Sequence, residues 1–209
     1  MHFFNIDAYG AAFRKMNNEE KDPTYIEVSE AESVFNDVKV CSFTGHRPEK
    51  LGITEETSDN CLDLKIRIRE EVFSAIESGY THFITGMARG TDIWAAEAVL
   101  EAVYSGFDSV KLYAAIPYPG QTEKWFSWEQ DRYDEILRLC EGVFLVSDKY
   151  STRCMAKRNE FLVNNCTRII AVYNGSEGGT ANTVAMAEKL GRDIVLIEPR
   201  PVDKIDPKG

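Results

Sequence analysis

From residue 38 onward, short apolar runs rich in β-branched side chains alternate with longer stretches of helical periodicity. Residues 38–43 (VKVCSF) read as a strand that leads straight into Thr44-Gly45-His46-Arg47-Pro48. Over 59–78, Leu62, Ile66, Ile68, Val72, Phe73 and Ile76 recur at helical spacing, and Gly79 stops the helix. A strand follows at 81–85, then a helix at 91–104 with Ile93, Trp94, Ala96, Val99, Leu100 and Val103 on its apolar side. The alternation continues with strands at 110–116, 142–146, 168–173 and 194–197. Helices at 124–140, 155–166 and 179–190 separate them. Strands divided by helices of this length require βαβ crossovers, hence a parallel sheet. The expected fold is α/β, a Rossmann-like, doubly wound, mainly parallel sheet of about six strands with helices on both faces.

Residues 1–37 break this pattern. They carry acidic runs and patchy apolar positions, among which Phe3, Phe4, Ile6, Tyr9 and Phe13 fit one helical face. The expected organisation is an N-terminal appendage at 1–37, a Rossmann-like domain at 38–198 and a charged, proline-bearing tail at 199–209. The appendage would pack on the domain or on a partner, including a second copy of the chain, or remain a loose tail.

Composition narrows the function. The chain of 209 residues has a formal net charge of -10. An acidic surface disfavours non-specific contact with nucleic acid and anionic membrane, yet leaves room for a local basic pocket. The five cysteines, Cys41, Cys61, Cys140, Cys154 and Cys166, show no CxxC spacing, so neither a disulfide framework nor a zinc site is indicated. No metal is expected, since the histidines are scattered. The start lacks the basic-then-apolar order of a signal peptide, and no apolar stretch approaches the roughly 20 residues that span a bilayer. A cytoplasmic protein without membrane association is the expectation.

Ligands of open parallel sheets sit beyond the carboxyl ends of the strands. Three strand-to-helix turns carry glycine there. In the first, Thr44, Gly45, His46 and Arg47 place a hydroxyl, an imidazole and a guanidinium at the sheet edge, and Arg47 could clamp a phosphate through two parallel hydrogen bonds. In the second, Gly86, Ala88, Arg89, Gly90 and Asp92 lie between a strand and a helix; Asp92 could face the ligand or cap its own helix. In the third, Gly178, Gly179 and Thr180 open a helix whose N-terminal N–H groups suit an anion, with Thr183 one turn on. No lysine follows these glycines, so the loop is not a Walker A turn. Tyr118 and Trp125 could stack on a base, whereas Trp128 reads as packing its loop against the body. Arg158 and Asn159 either point to the same edge or lie on a solvated helix surface.

FTGHRP, TGMARGTDIWAAEA, PYPGQTEKW, RNEFLVNN and VYNGSEGGTANTVAMA, in this order over 38–198, resemble the YpsA-like group of the SLOG superfamily. Its relatives include the LOG-type phosphoribohydrolases and the DNA-processing protein DprA. The resemblance implies a Rossmann-like fold and a pocket for a nucleotide-derived, phosphate-bearing ligand of the ADP-ribose or NAD-like class. It carries Gly45, His46, Arg47, Gly86, Ala88, Arg89, Gly90, Asp92, Gly178, Gly179 and Thr180 over as pocket residues. LOG-type enzymes have a PGGxGTxxE loop whose glutamate serves N-glycosidic chemistry. Here the loop reads EGGTANTVAM, with no carboxylate in the matching place. Three functions remain in view. The first is binding or sensing of a small nucleotide-derived ligand. The second is an N-glycosidic hydrolase using Asp92, Glu177 or Glu49. The third, set back by the acidic charge, is single-strand nucleic-acid binding of the DprA kind.

Overall fold

The computed structural model describes residues 22–200. In chain order it contains β1 (Tyr25–Ile26), α1 (Ala31–Phe35), β2 (Val40–Gly45), α2 (Asp59–Glu77), β3 (His82–Thr85), α3 (Thr91–Tyr104) and β4 (Lys111–Ile116). There follow α4 (Ser127–Leu139), β5 (Gly142–Leu145), α5 (Cys154–Asn164), β6 (Arg168–Val172), α6 (Gly179–Lys189) and β7 (Asp193–Ile197). The strands form one sheet in the order β1-β5-β4-β3-β2-β6-β7, and every adjacent pair is parallel.

Side chains alternate across this sheet with a period of two, so each strand feeds two cores. Cys41, Phe43, Phe83, Leu112, Ala114 and Val143 face Leu64, Ile68 and Val72 of α2, Val99 of α3 and Ile136 of α4. Val40, Ile84, Tyr113, Ala115, Phe144 and Ile169 face Phe35 of α1, Leu162 of α5 and Ala187 of α6. The fold is therefore Rossmann-like and doubly wound, with helices on both faces. The chain winds outward from β2 through β3, β4 and β5, then returns to the other side of β2 to place β6 and β7. Strand order reverses at β2, and the carboxyl ends of β2, β3 and β6 surround that switch point.

Among the described residues there are seven strands, where the hydrophobic pattern indicated about six. The additional strand, β1, comes from the stretch before residue 38. It pairs Tyr25 with Val143 and Ile26 with Phe144. Two residues cannot show a period, which is why the pattern conceals it. Its fit depends on Gly142, where a Cβ would stand 2.2 Å from Ile26 Cδ1. Phe35 then sets its ring edge-on to Tyr113 at 5.2 Å. The apolar face of residues 3–13 lies outside the described residues. Among these, no helix is long and apolar enough to cross a membrane.

Candidate ligand-binding site

The three glycine turns meet around a cavity of about 550 Å³ at the switch point. Thr44, Gly45, His46, Arg47 and Lys50 line it from the first turn, Ala88 and Asp92 from the second, and Gly179 and Thr180 from the third. Glu49 of the first turn and Arg158 and Asn159 of α5 share the wall.

The first turn is held by the start of α3 and by the third turn. Gly45 is the last residue of β2, and a Cβ there would lie 2.2 Å from Thr91 Oγ1. Its missing side chain admits the first residue of α3. The His46 ring is buried and reaches into the third turn, where Nε2 lies 2.8 Å from Asn174 Oδ1. The Ser176 backbone N–H donates to the same oxygen at 3.1 Å. That oxygen is thereby an acceptor, so His46 carries its proton on Nε2 and keeps Nδ1 as its acceptor atom. Burial pushes the His46 pKa below its ordinary 6.5; the Asn174 hydrogen bond opposes this and Lys50 adds to it. The ring is neutral at pH 7.

The second turn carries backbone strain. Met87 has φ 56°, an uncommon value for a non-glycine residue. Thr85 Oγ1 accepts the Met87 N–H at 3.2 Å and donates to the Asp92 carbonyl at 2.9 Å, while Gln121 Nε2 donates to the Met87 carbonyl. Asp92 Oδ2 accepts the Ala88 N–H at 3.2 Å and Arg158 Nη1 at 2.8 Å. The carboxylate thus ties the loop to α5. Burial raises the Asp92 pKa, opposed by the Arg158 charge and the Ala88 N–H. Gly86 makes the pair feasible, because a Cβ there would fall 1.5 Å from Arg158 Nη1. The Arg158 side chain is only 8% exposed, and its Nε has no hydrogen-bond partner among the described residues. A buried donor left unpaired costs about 1–3 kcal/mol.

In the third turn Gly178 has φ 141°, a conformation that favours glycine, and among the described residues no side chain caps the N-terminus of α6. Thr183 Oγ1 donates to the Gly179 carbonyl at 2.8 Å and accepts Asn159 Nδ2 at 2.9 Å, so α5 and α6 are joined beside the cavity. Lys50 Nζ donates to the Glu177 carbonyl at 2.5 Å. Sequence reasoning missed Lys50. The signal was its place three residues after Arg47, in a turn that the helical stretch Pro48–Leu51 winds back toward the same edge.

Several expected residues lie elsewhere. Arg89 turns away from the 550 Å³ cavity to pair with Glu49 at 2.9 Å and Glu129 at 2.6 Å. It lines a second cavity of about 720 Å³, together with Gly90, Trp125 and Trp128. Trp125 sets its ring edge-on to Tyr133 at 5.6 Å. Trp128, expected to pack against the body, is 54% exposed. Tyr118 rests edge-on against Tyr150 at 5.2 Å and lines neither cavity. Gly86 and Gly178 shape the smaller cavity without lining it.

A doubly wound parallel sheet with a loop-lined cavity at its switch point defines a Rossmann-like protein. The model of the YspA SLOG family (YpsA) matches residues 41–197, and the chain belongs to that family. It is similar to a UPF0398 protein of Bacillus thuringiensis (strain Al Hakam), with 27% identity over 159 residues, 75% of this chain and 86% of that protein. It is equally similar to a UPF0398 protein of Shouchella clausii, with 27% identity over 164 residues, 77% of this chain and 87% of that one. Among solved structures it resembles DprA of Streptococcus pneumoniae, with a TM-score of 0.53, 16% identity, and coverage of 86% of this chain and 55% of that one. It also resembles DprA of Helicobacter pylori, which is described for its single-stranded DNA binding mode. There the TM-score is 0.54 with 12% identity, covering 82% of this chain and 70% of that one. At these identities the likeness to DprA is one of fold.

Proposed function

We propose that the 550 Å³ cavity binds a small nucleotide-derived molecule of the ADP-ribose or NAD-like class through its phosphate, and that the protein is a binding or sensing module for it. The observation that carries this reading is Arg158, a buried guanidinium on the cavity wall with one nitrogen unpaired. A guanidinium that spends one nitrogen on Asp92 and has donor capacity left over can clamp a phosphate oxygen. Arg47 and Lys50 add positive charge on the same wall, and α6 directs its N-terminus there from Gly179. Low-dielectric walls focus such a local field even on a chain of net charge -10.

The arrangement favours binding over cleavage. Of the carboxylates a hydrolase would need, Asp92 is engaged by Arg158 and Ala88, and Glu49 by Arg89. Glu177 is an exposed residue of the loop before α6. None of the three is buried and disengaged, as a tuned general acid requires. A second reading, single-stranded nucleic acid, draws on the fold likeness to the Helicobacter pylori protein. The cavity's cations would accept a backbone phosphate too, so net charge alone does not dismiss it.

Thermal unfolding with ADP-ribose, NAD, AMP and a thymidine oligonucleotide tests both. A ligand at a hundredfold its Kd adds about 2.7 kcal/mol of stability. Arg158→Lys keeps a cation for Asp92 but has no second nitrogen, so the protein should fold and bind about tenfold more weakly or worse. No stabilisation by any nucleotide at millimolar concentration would overturn the proposal. Tighter, strongly salt-dependent binding of the oligonucleotide would transfer support to the second reading.

A further inference from the structure

The phosphate cavity accounts for one end of a nucleotide. The cavity of 720 Å³ adjoins it, and Glu49 lines both. Its character is the reverse of its neighbour's. Trp125, Phe126 and Trp128 line it, with Ile53 and Ile93 beside them. Phe126 and Trp128, both large apolar side chains, are 68% and 54% exposed. The charged groups on its wall are Glu49, Glu55, Glu56 and Glu129 against Arg89 and Arg132. Arg89 is held by Glu49 and Glu129, and Arg132 donates to Glu56 at 2.9 Å and to Glu97 at 2.6 Å. The excess is acidic, so a phosphate is repelled here, whereas the smaller cavity sets the three cations Arg47, Lys50 and Arg158 against Asp92 and the shared Glu49.

We infer that the 720 Å³ cavity is the base subsite of the same ligand, and that it takes an aromatic ring that is cationic or bears an amino group. The inference rests on the phosphate reading of the smaller cavity. The indole and phenyl faces offer stacking, and a ring deficient in electrons stacks best on them. The carboxylates accept hydrogen bonds from an exocyclic amine or draw a pyridinium charge. The ligand therefore lies with its phosphate at Arg158 and its base beside Trp128, crossing the ridge at Glu49 and Arg89. That placement gives Arg89 a role at the boundary of two subsites.

Isothermal titration of the full chain with ribose 5-phosphate, AMP, nicotinamide mononucleotide and UMP tests this. AMP and nicotinamide mononucleotide should bind about tenfold or more tightly than ribose 5-phosphate, and UMP should gain less. Trp128 is largely exposed, so Trp128→Ala should fold as the parent does. It should weaken AMP about fivefold or more while leaving ribose 5-phosphate unchanged. The relative gain of AMP and nicotinamide mononucleotide separates an amino-bearing ring from a cationic one. Equal AMP affinity of parent and Trp128→Ala overturns the base subsite alone. Failure of the parent to bind ribose 5-phosphate and every nucleotide overturns the phosphate reading and this inference with it.

Discussion

Arg158 and Arg89 show how much of the site a single side chain can reveal from sequence. Both are arginines near the carboxyl edge, and Arg89, in a glycine-flanked turn, is the more conspicuous. Its direction is set by Glu49 and Glu129, each forty residues away in the chain, which no local pattern discloses. Arg158 sits mid-helix and reaches the cavity only because Gly86 has no side chain in its path. The glycines were legible as special positions, but their neighbours were not: Gly45 makes room for Thr91, and Gly86 for Arg158. Burial makes His46 sensitive to pH. Its pKa is lower in the folded chain than its ordinary 6.5, because burial disfavours the cation. Protonation therefore favours the unfolded chain, so its contribution is complete above pH 6.5 and is lost as pH falls below that value. His46→Gln should flatten the acid-side decline of the melting temperature between pH 7 and 5, measured by calorimetry, by a few degrees. An unchanged decline would place the titration elsewhere.

Among the elements, strand and helix periodicity was readable wherever a run was long enough to repeat. The strands from β2 to β7 are such runs. The two residues of β1 are not, and they depend on Gly142 and on pairing with β5 for their place. The acidic wall of the larger cavity is also a product of packing between elements. Glu56, in the loop before α2, accepts Arg132 of α4 and the Trp94 indole N–H of α3, each at 2.9 Å, and pairs with Lys65 of α2. Burial works against its charge, but Arg132 and Lys65 prevail and hold the carboxyl at about 2 against an ordinary 4.5. A depressed carboxylate pKa stabilises the fold above the ordinary value and loses that contribution as pH falls toward the depressed one. Glu56→Gln should thus lower stability at pH 7 by on the order of 2–3 kcal/mol in urea unfolding. The gap to the parent should narrow as pH falls from 4.5 toward 2. A constant gap across that range would mean that the ionic contacts contribute little.

For the whole molecule, the sheet order gathers three loops from distant parts of the chain at one edge, and leaves a basic excess in one cavity beside an acidic excess in its neighbour. Net charge was legible from composition, but this arrangement was not, because it depends on which loops become neighbours. A phosphate at Arg158 also meets the start of α6 on the same wall, and Gly179 allows that placement to be tested without disturbing the fold. A Cβ at Gly179 would have its nearest neighbour, Asn159 Nδ2, at 3.9 Å, and no left-handed φ stands in the way. Gly179→Ala should therefore match or exceed the parent's stability by up to about 1 kcal/mol. Yet the methyl stands on the cavity wall, where a phosphate must approach the helix N–H groups closely. Titration of ADP-ribose into the parent and Gly179→Ala by calorimetry is the direct measurement. The parent should bind, and the variant should lose about tenfold or more in affinity. Equal affinity in the two, with both folded, would contradict a phosphate at the start of α6.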